Sequence, residues 1–157
     1  MRPIAIALGS NLGNRSAAIQ FASAQLSALL RNFRISDSIE TWPAGPGAQE
    51  QNLYLNAVAT GESELTARQI LDALLAIELA CGRERPFPNA ARTLDLDLIL
   101  VGSQVIVEEG LEVPHPRFRE RFFVLGPLAE IAPDLVDPVT GLRVGELLKA
   151  LLRDEDR

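Results

Sequence analysis

Hydrophobic and polar positions alternate most sharply over Leu94-Asp95-Leu96-Asp97-Leu98, a period of two that predicts a half-buried strand. Continued strictly, the alternation puts Leu94, Leu96, Leu98 and Leu100 on one face and Asp95, Asp97, Ile99 and Val101 on the other. Upstream, residues 3–8 read as a short buried strand. A turn-rich stretch, Gly9-Ser10-Asn11-Leu12-Gly13-Asn14, then leads into a helix over about 16–31 with an Asn or Ser cap. Residues 33–41 read as a second strand and 54–60 as a third, separated by a loop containing two prolines and two glycines. Thr66-Ala67-Arg68-Gln69 has the capping-box form and opens a helix that runs to Cys81, with Gly82 as its stop. Ile70, Leu71, Leu74, Leu75, Ile77, Leu79 and Ala80 make that helix apolar nearly all round, as expected of one buried on more than one side. Residues 105–107 suggest a further short strand, 113–116 a proline-stiffened loop, 122–131 a short helix and 144–152 a last one. The order strand, helix, strand, strand, helix, strand is that of a ferredoxin-like βαββαβ core, an α+β fold, with short C-terminal additions. The whole chain, 1–157, reads as one domain.

The composition is that of an ordinary globular protein, 47% hydrophobic and 23% charged. No apolar run approaches the ~20 residues needed to cross a membrane, and the N-terminus turns polar too soon for a secretory signal. A cytoplasmic protein is expected. A formal charge of −6 argues against general binding to nucleic acid or to an anionic membrane, and nothing calls for an obligate protein partner. One cysteine and one histidine exclude a zinc site of those ligands within one chain.

Three features break this plain picture. Asp95 and Asp97 point the same way from one strand, with Cα atoms about 6.5–7 Å apart. Two like charges so placed suit a divalent cation, or a pair of them, handling phosphate; a polar face simply turned to solvent is the other reading. Arginines cluster on both sides of this strand: Arg83, Arg85 and Arg92 before it, Arg117, Arg119 and Arg121 after it. Guanidinium forks match phosphate oxygens. Of 15 basic residues only Lys149 is lysine, so a general arginine bias explains the type but not the clustering. Glu78 lies on the apolar stripe of its helix and needs a partner there, either within the protein or in a ligand.

These motifs, in this order, resemble the 6-hydroxymethyl-7,8-dihydropterin pyrophosphokinases across nearly the whole chain. The likeness is carried by Ile6-Ala7-Leu8-Gly9-Ser10-Asn11-Leu12-Gly13, by Tyr54-Leu55-Asn56-Ala57 and by Ile77-Glu78-Leu79 with Gly82-Arg83. Arg92-Thr93-Leu94-Asp95-Leu96-Asp97-Leu98 and Val113-Pro114-His115-Pro116 with Arg121 complete it. The resemblance implies an ATP- and Mg-dependent transferase of folate biosynthesis that moves pyrophosphate from ATP to the pterin hydroxymethyl group and releases AMP. It implies two Mg²⁺ ions on Asp95 and Asp97, with Arg83, Arg92 and Arg121 joining these aspartates in catalysis. Glu78, Arg83, Arg85, Arg92, Leu98, His115 and Arg121 would hold the nucleotide. Thr41, Pro43, Ala44, Tyr54, Asn56 and Phe123 would hold the pterin. Outside that resemblance, Tyr54 and Phe123 read as core residues, and His115 as a structural loop residue. The chain departs from the family's usual pattern at Leu75, Asn89 and Pro116. A ligand-sensing module on the same scaffold, or a metal-dependent nucleotidyl transferase, are the competing readings.

Overall fold

A computed structural model describes residues 1–42, 53–82 and 93–155. Strand β1 (Arg2–Ser10) is central, paired antiparallel with β4 (Tyr54–Ser63) on one side and with β5 (Asp95–Val101) on the other. Beyond β4 lie β2 (Arg31–Ile35) and β3 (Ile39–Thr41), so the main sheet runs β2-β4-β1-β5 with β3 also on β4. This is the strand order of the expected ferredoxin-like α+β core.

Helices α1 (Arg15–Leu29) and α2 (Ala67–Ala80) supply the crossovers. Asn14 caps α1, its side chain accepting from the Ala17 amide at 3.0 Å. The capping box of α2 is complete: Thr66 accepts from the Gln69 amide, and Gln69 accepts from the Thr66 amide. Gly82 follows α2 with φ +79°, a left-handed stop.

Both faces of the sheet are used. Ile4, Ile6, Leu8, Leu96 and Leu98 pack against Ile19, Leu26, Ile70 and Leu74 of the two helices. On the opposite face Ala5, Val58, Ile99 and Leu100 pack against Phe118, α3 (Phe122–Ile131) and α4 (Val144–Glu155). This second layer covers only one end of its face; the end at Gly9, Asn56 and Asp95 lines a cavity instead.

Four expectations are corrected. The register of β5 on β1 steps from Ile6↔Leu98 to Ala5↔Leu100, leaving Ile99 as an extra residue. The bulge exchanges the faces beyond it: Leu100 joins Ile99 on the α3 side, and Val101 joins Leu96 and Leu98. The second strand is broken at Ser36, whose hydroxyl accepts from the Val58 amide and takes the place of a ladder bond. Helix α2 is buried on one side only, with Leu75 44% and Leu79 69% exposed. The 113–116 loop begins as strand β7 (Leu111–Val113), the partner of β6 (Ile106–Glu108).

Among the described glycines, Gly61 has the least room for a side chain. A Cβ there would lie 2.6 Å from the Leu30 Cβ and 3.0 Å from the Arg31 carbonyl oxygen. Gly61→Ala is therefore expected to lower stability by about 1–3 kcal/mol in urea unfolding. Binding at the far end of β4 should be retained.

Candidate functional site

The cavity floor comes from three adjacent strands. In register, Asn56 of β4 faces Gly9 of β1, which faces Asp95 of β5; one step along, Val58 faces Ala7, which faces Asp97. Asn56 and Asp95 thus stand two strand spacings apart, about 9.5 Å. Between them β1 offers only Ala7 and Gly9, while its other face carries Ile4, Ile6 and Leu8. The large-small alternation of β1 keeps the floor low where polar groups stand on either side. A Cβ on Gly9 would meet Asn56 Oδ1 at 3.6 Å and Tyr54 Cδ1 at 3.7 Å, filling that space.

The cavity has a volume of about 470 Å³ and includes Thr41, Tyr54, Asn56, Asp95, Asp97 and Phe123 in its lining. That size suits a small organic ligand. Asn56 is buried and donates from Nδ2 to Thr41 Oγ1 at 2.7 Å and to the Ile39 carbonyl at 3.5 Å; the carbonyl, which can only accept, sets the orientation of the amide. Tyr54 and Phe123 are both half-buried in the wall rather than sealed in the core. Arg121 lies over the Phe123 ring, its guanidinium carbon 5.7 Å from the centroid.

Strand β5 is the edge of the sheet, yet two of its outward backbone groups are occupied. The Leu96 amide donates to Glu78 Oε2 at 2.8 Å, and the Ile99 carbonyl accepts from the His115 amide at 2.9 Å. Glu78 is 2% exposed and sits beneath the strand, outside the lining of either cavity beside it. The partner its place on the apolar stripe required is thus supplied in part by β5. A second cavity, about 300 Å³, opens across that edge, with Leu71, Leu98, Leu111, His115 and Pro116 in its lining. Asp97 lines both cavities.

His115 accepts at Nδ1 from the Arg117 amide at 3.2 Å, so its neutral ring carries the proton on Nε2. Burial, then the charges of Arg121 and Arg117, pull its pKa down to about 4, against an opposing effect of Asp95. The ring is a neutral donor at neutral pH.

The structure thus brings Thr41, Tyr54, Asn56, Phe123, Asp95, Asp97 and Arg121 to one cavity, and Leu98 and His115 to its neighbour. Pro43, Ala44, Arg83, Arg85, Arg92 and Asn89 lie outside the described residues. The cavity also gains Trp42, Arg117 and Glu120. Trp42, the chain's one tryptophan, is 80% exposed at the mouth. Glu120 gave no signal in the sequence, because an exposed glutamate in a short turn has no periodic context. Of the two departures within the described residues, Leu75 points away from both cavities and Pro116 lines the second.

No group of three or more metal-ligating side chains occurs among the described residues. Asp95 and Asp97 present hard oxygen donors from a rigid strand. That set fits Mg²⁺, which keeps several water ligands and takes others from phosphate oxygens. No helix among the described residues is long and apolar enough to cross a membrane.

Residues 5–133 match the family described as 7,8-dihydro-6-hydroxymethylpterin-pyrophosphokinase. The 2-amino-4-hydroxy-6-hydroxymethyldihydropteridine pyrophosphokinase of Pseudomonas aeruginosa is 42% identical over 147 residues, covering 92% of this chain and 89% of that protein. Its namesake in Haemophilus influenzae is 41% identical over 146 residues, with the same coverage of 92% and 89%. The folic acid synthesis protein fol1 of Pneumocystis carinii is 36% identical over 148 residues; these make up 94% of this chain but 20% of that longer protein. Wild-type HPPK-DHPS of Plasmodium falciparum shares the fold at a TM-score of 0.75 and 11% identity, over 97% of this chain and 45% of that one.

The depressed His115 pKa predicts a pH dependence of stability. Between about 6.5 and about 4 the unfolded chain binds the proton and the folded chain does not, so stability falls as pH drops through that window. Urea unfolding at pH 7 and pH 5 should show a larger loss in the natural protein than in His115→Gln.

Proposed function

The chain belongs to the 7,8-dihydro-6-hydroxymethylpterin-pyrophosphokinase family, and from that premise we propose how the two cavities that meet at Asp97 divide the reaction. The substrates are ATP and 6-hydroxymethyl-7,8-dihydropterin. The pterin hydroxymethyl oxygen attacks the β-phosphorus of ATP, the bridge between the α- and β-phosphates breaks, AMP leaves and the hydroxyl proton passes to water. The observation that supports this arrangement best is the place of Asp97, on the wall shared by the 470 Å³ and 300 Å³ cavities. A ligand in each would meet the other at that carboxylate.

The pterin takes the larger cavity. Its flat ring lies between Tyr54 and Phe123, and Asn56 and Thr41 read its amide-like edge. The nucleotide takes the smaller one, against Leu98, with its phosphates towards Asp97 and His115. His115 donates from Nε2 as a neutral group, so it holds a phosphate oxygen without adding charge. Glu78 supports the strand from beneath through Leu96. Mg²⁺ held by Asp95 and Asp97 supplies charge neutralisation and alignment of the phosphates. Arg121 adds a fork to oxygens that gain charge as the bridge breaks. Arg83, Arg85 and Arg92 are proposed to share that role, and Pro43 and Ala44 to complete the pterin site. No group is required as a strong base, because phosphoryl transfer depends chiefly on positioning and charge.

Product chromatography with ATP, Mg²⁺ and the pterin tests the reading. AMP and a pterin diphosphate should appear in equal amounts; release of pyrophosphate, or no AMP from folded protein, would overturn it. Asp97→Ala should lower kcat by roughly 10²–10³-fold while the protein still unfolds cooperatively in urea. Gly9→Val should weaken pterin binding far more than ATP binding in calorimetric titrations of each ligand.

A further inference from the structure

The three arginines that follow His115 are not equivalent. A short 3-10 turn, Phe118–Glu120, links β7 to α3. Arg117 and Arg121 flank it and line the larger cavity. Arg119, between them, turns the other way and spends its fork on Asp137, Nε to Oδ2 at 2.5 Å and Nη2 to Oδ1 at 2.8 Å. The Asp137 side chain is 0% exposed.

Asp137 is a built anchor rather than a casual surface partner. Its carboxylate also accepts from the Val139 amide at 3.0 Å and from Thr140 Oγ1 at 2.8 Å, so four donors saturate it. Its backbone closes the same loop, donating to the Leu142 carbonyl and accepting from the Gly141 amide, both at 2.8 Å. On the turn, Phe118 is fully buried and Arg119 lies 4.8 Å above its ring. The Arg121 amide donates to the Phe118 carbonyl, and the Arg121 carbonyl accepts the first amides of α3, from Val124 and Leu125.

Three guanidinium groups within five residues repel one another. Neutralising the middle one with a buried carboxylate lowers that cost and pins the turn at its centre. We propose that Asp137 and Arg119 are positioning residues: their partly buried ion pair fixes the turn that aims Arg121 and Arg117 into the cavity. The consequence for catalysis rests on the pyrophosphokinase reading above; the consequence for geometry does not.

Two variants test it, Arg119→Lys and the double variant Arg119→Met/Asp137→Leu. The second replaces the whole pair by apolar side chains, an exchange that folded proteins often tolerate. In folded protein, each should lower kcat about tenfold or more with a smaller change in the KM for the pterin. Relaxation of the Arg121 Nε nitrogen should shift from an ordered to a freely moving side chain. A role confined to stability would lower the melting point and leave kcat and Arg121 order unchanged, and that result in the folded double variant would overturn the proposal. If the natural protein yields no AMP, the pyrophosphokinase reading fails on its own. The Arg121 relaxation comparison still decides whether the ion pair positions the arginine.

Discussion

The site depends on an edge strand that must bury one face and keep the other polar. Leu94, Leu96 and Leu98 anchor β5 in the core against α2, and that burial obliges Asp95 and Asp97 to face the opposite way. A slip of one residue would drive two carboxylates into the helix-facing core, so the hydrophobic requirement itself fixes the register. An edge strand would normally leave its outer backbone groups unpaired. Here Glu78 takes the Leu96 amide and the His115 amide takes the Ile99 carbonyl. The carboxylates therefore stand on backbone held from both sides.

The bulge at Ile99 limits how far this arrangement extends. Before it, alternation delivers Asp95 and Asp97 to the open end of the sheet face. After it, Ile99 and Leu100 both serve the core under α3. One extra residue thus divides the face into a polar working end and a packed end. β1 keeps this face low along its length, with Ala5 under the packing layer and Ala7 and Gly9 lining the cavity.

Much of this was legible because it follows from periodicity and local chemistry. The capping box at Thr66 and Gln69, the paired aspartates and the helix that ends at Gly82 each rest on interactions within a few residues. What escaped depends on partners distant in the chain. The break at Ser36 exists because its hydroxyl reaches Val58. The face exchange at Leu100 comes from a mismatch with β1 that a single strand's sequence cannot display. Leu75 and Leu79 read as buried because apolar residues ordinarily are, yet only one side of α2 has a layer to pack against. The cluster Arg117, Arg119 and Arg121 was visible, but its division was not, because Asp137 lies 18 residues away from Arg119.

That division carries a more general consequence for charge in the site. An anion site built from arginines must be stable before the anion arrives, when no bound phosphate offsets their mutual repulsion. The protein meets this with two devices. Its one histidine stays neutral, being buried beside Arg117 and Arg121 with its pKa drawn down to about 4. One of its three clustered arginines is neutralised in place by a saturated carboxylate. Of the cations available on this turn and the loop before it, only Arg117 and Arg121 are left to face the cavity, opposite Asp95 and Asp97. Those two cations share the lining with three carboxylates, Asp95, Asp97 and Glu120, so their repulsion is offset before any phosphate enters.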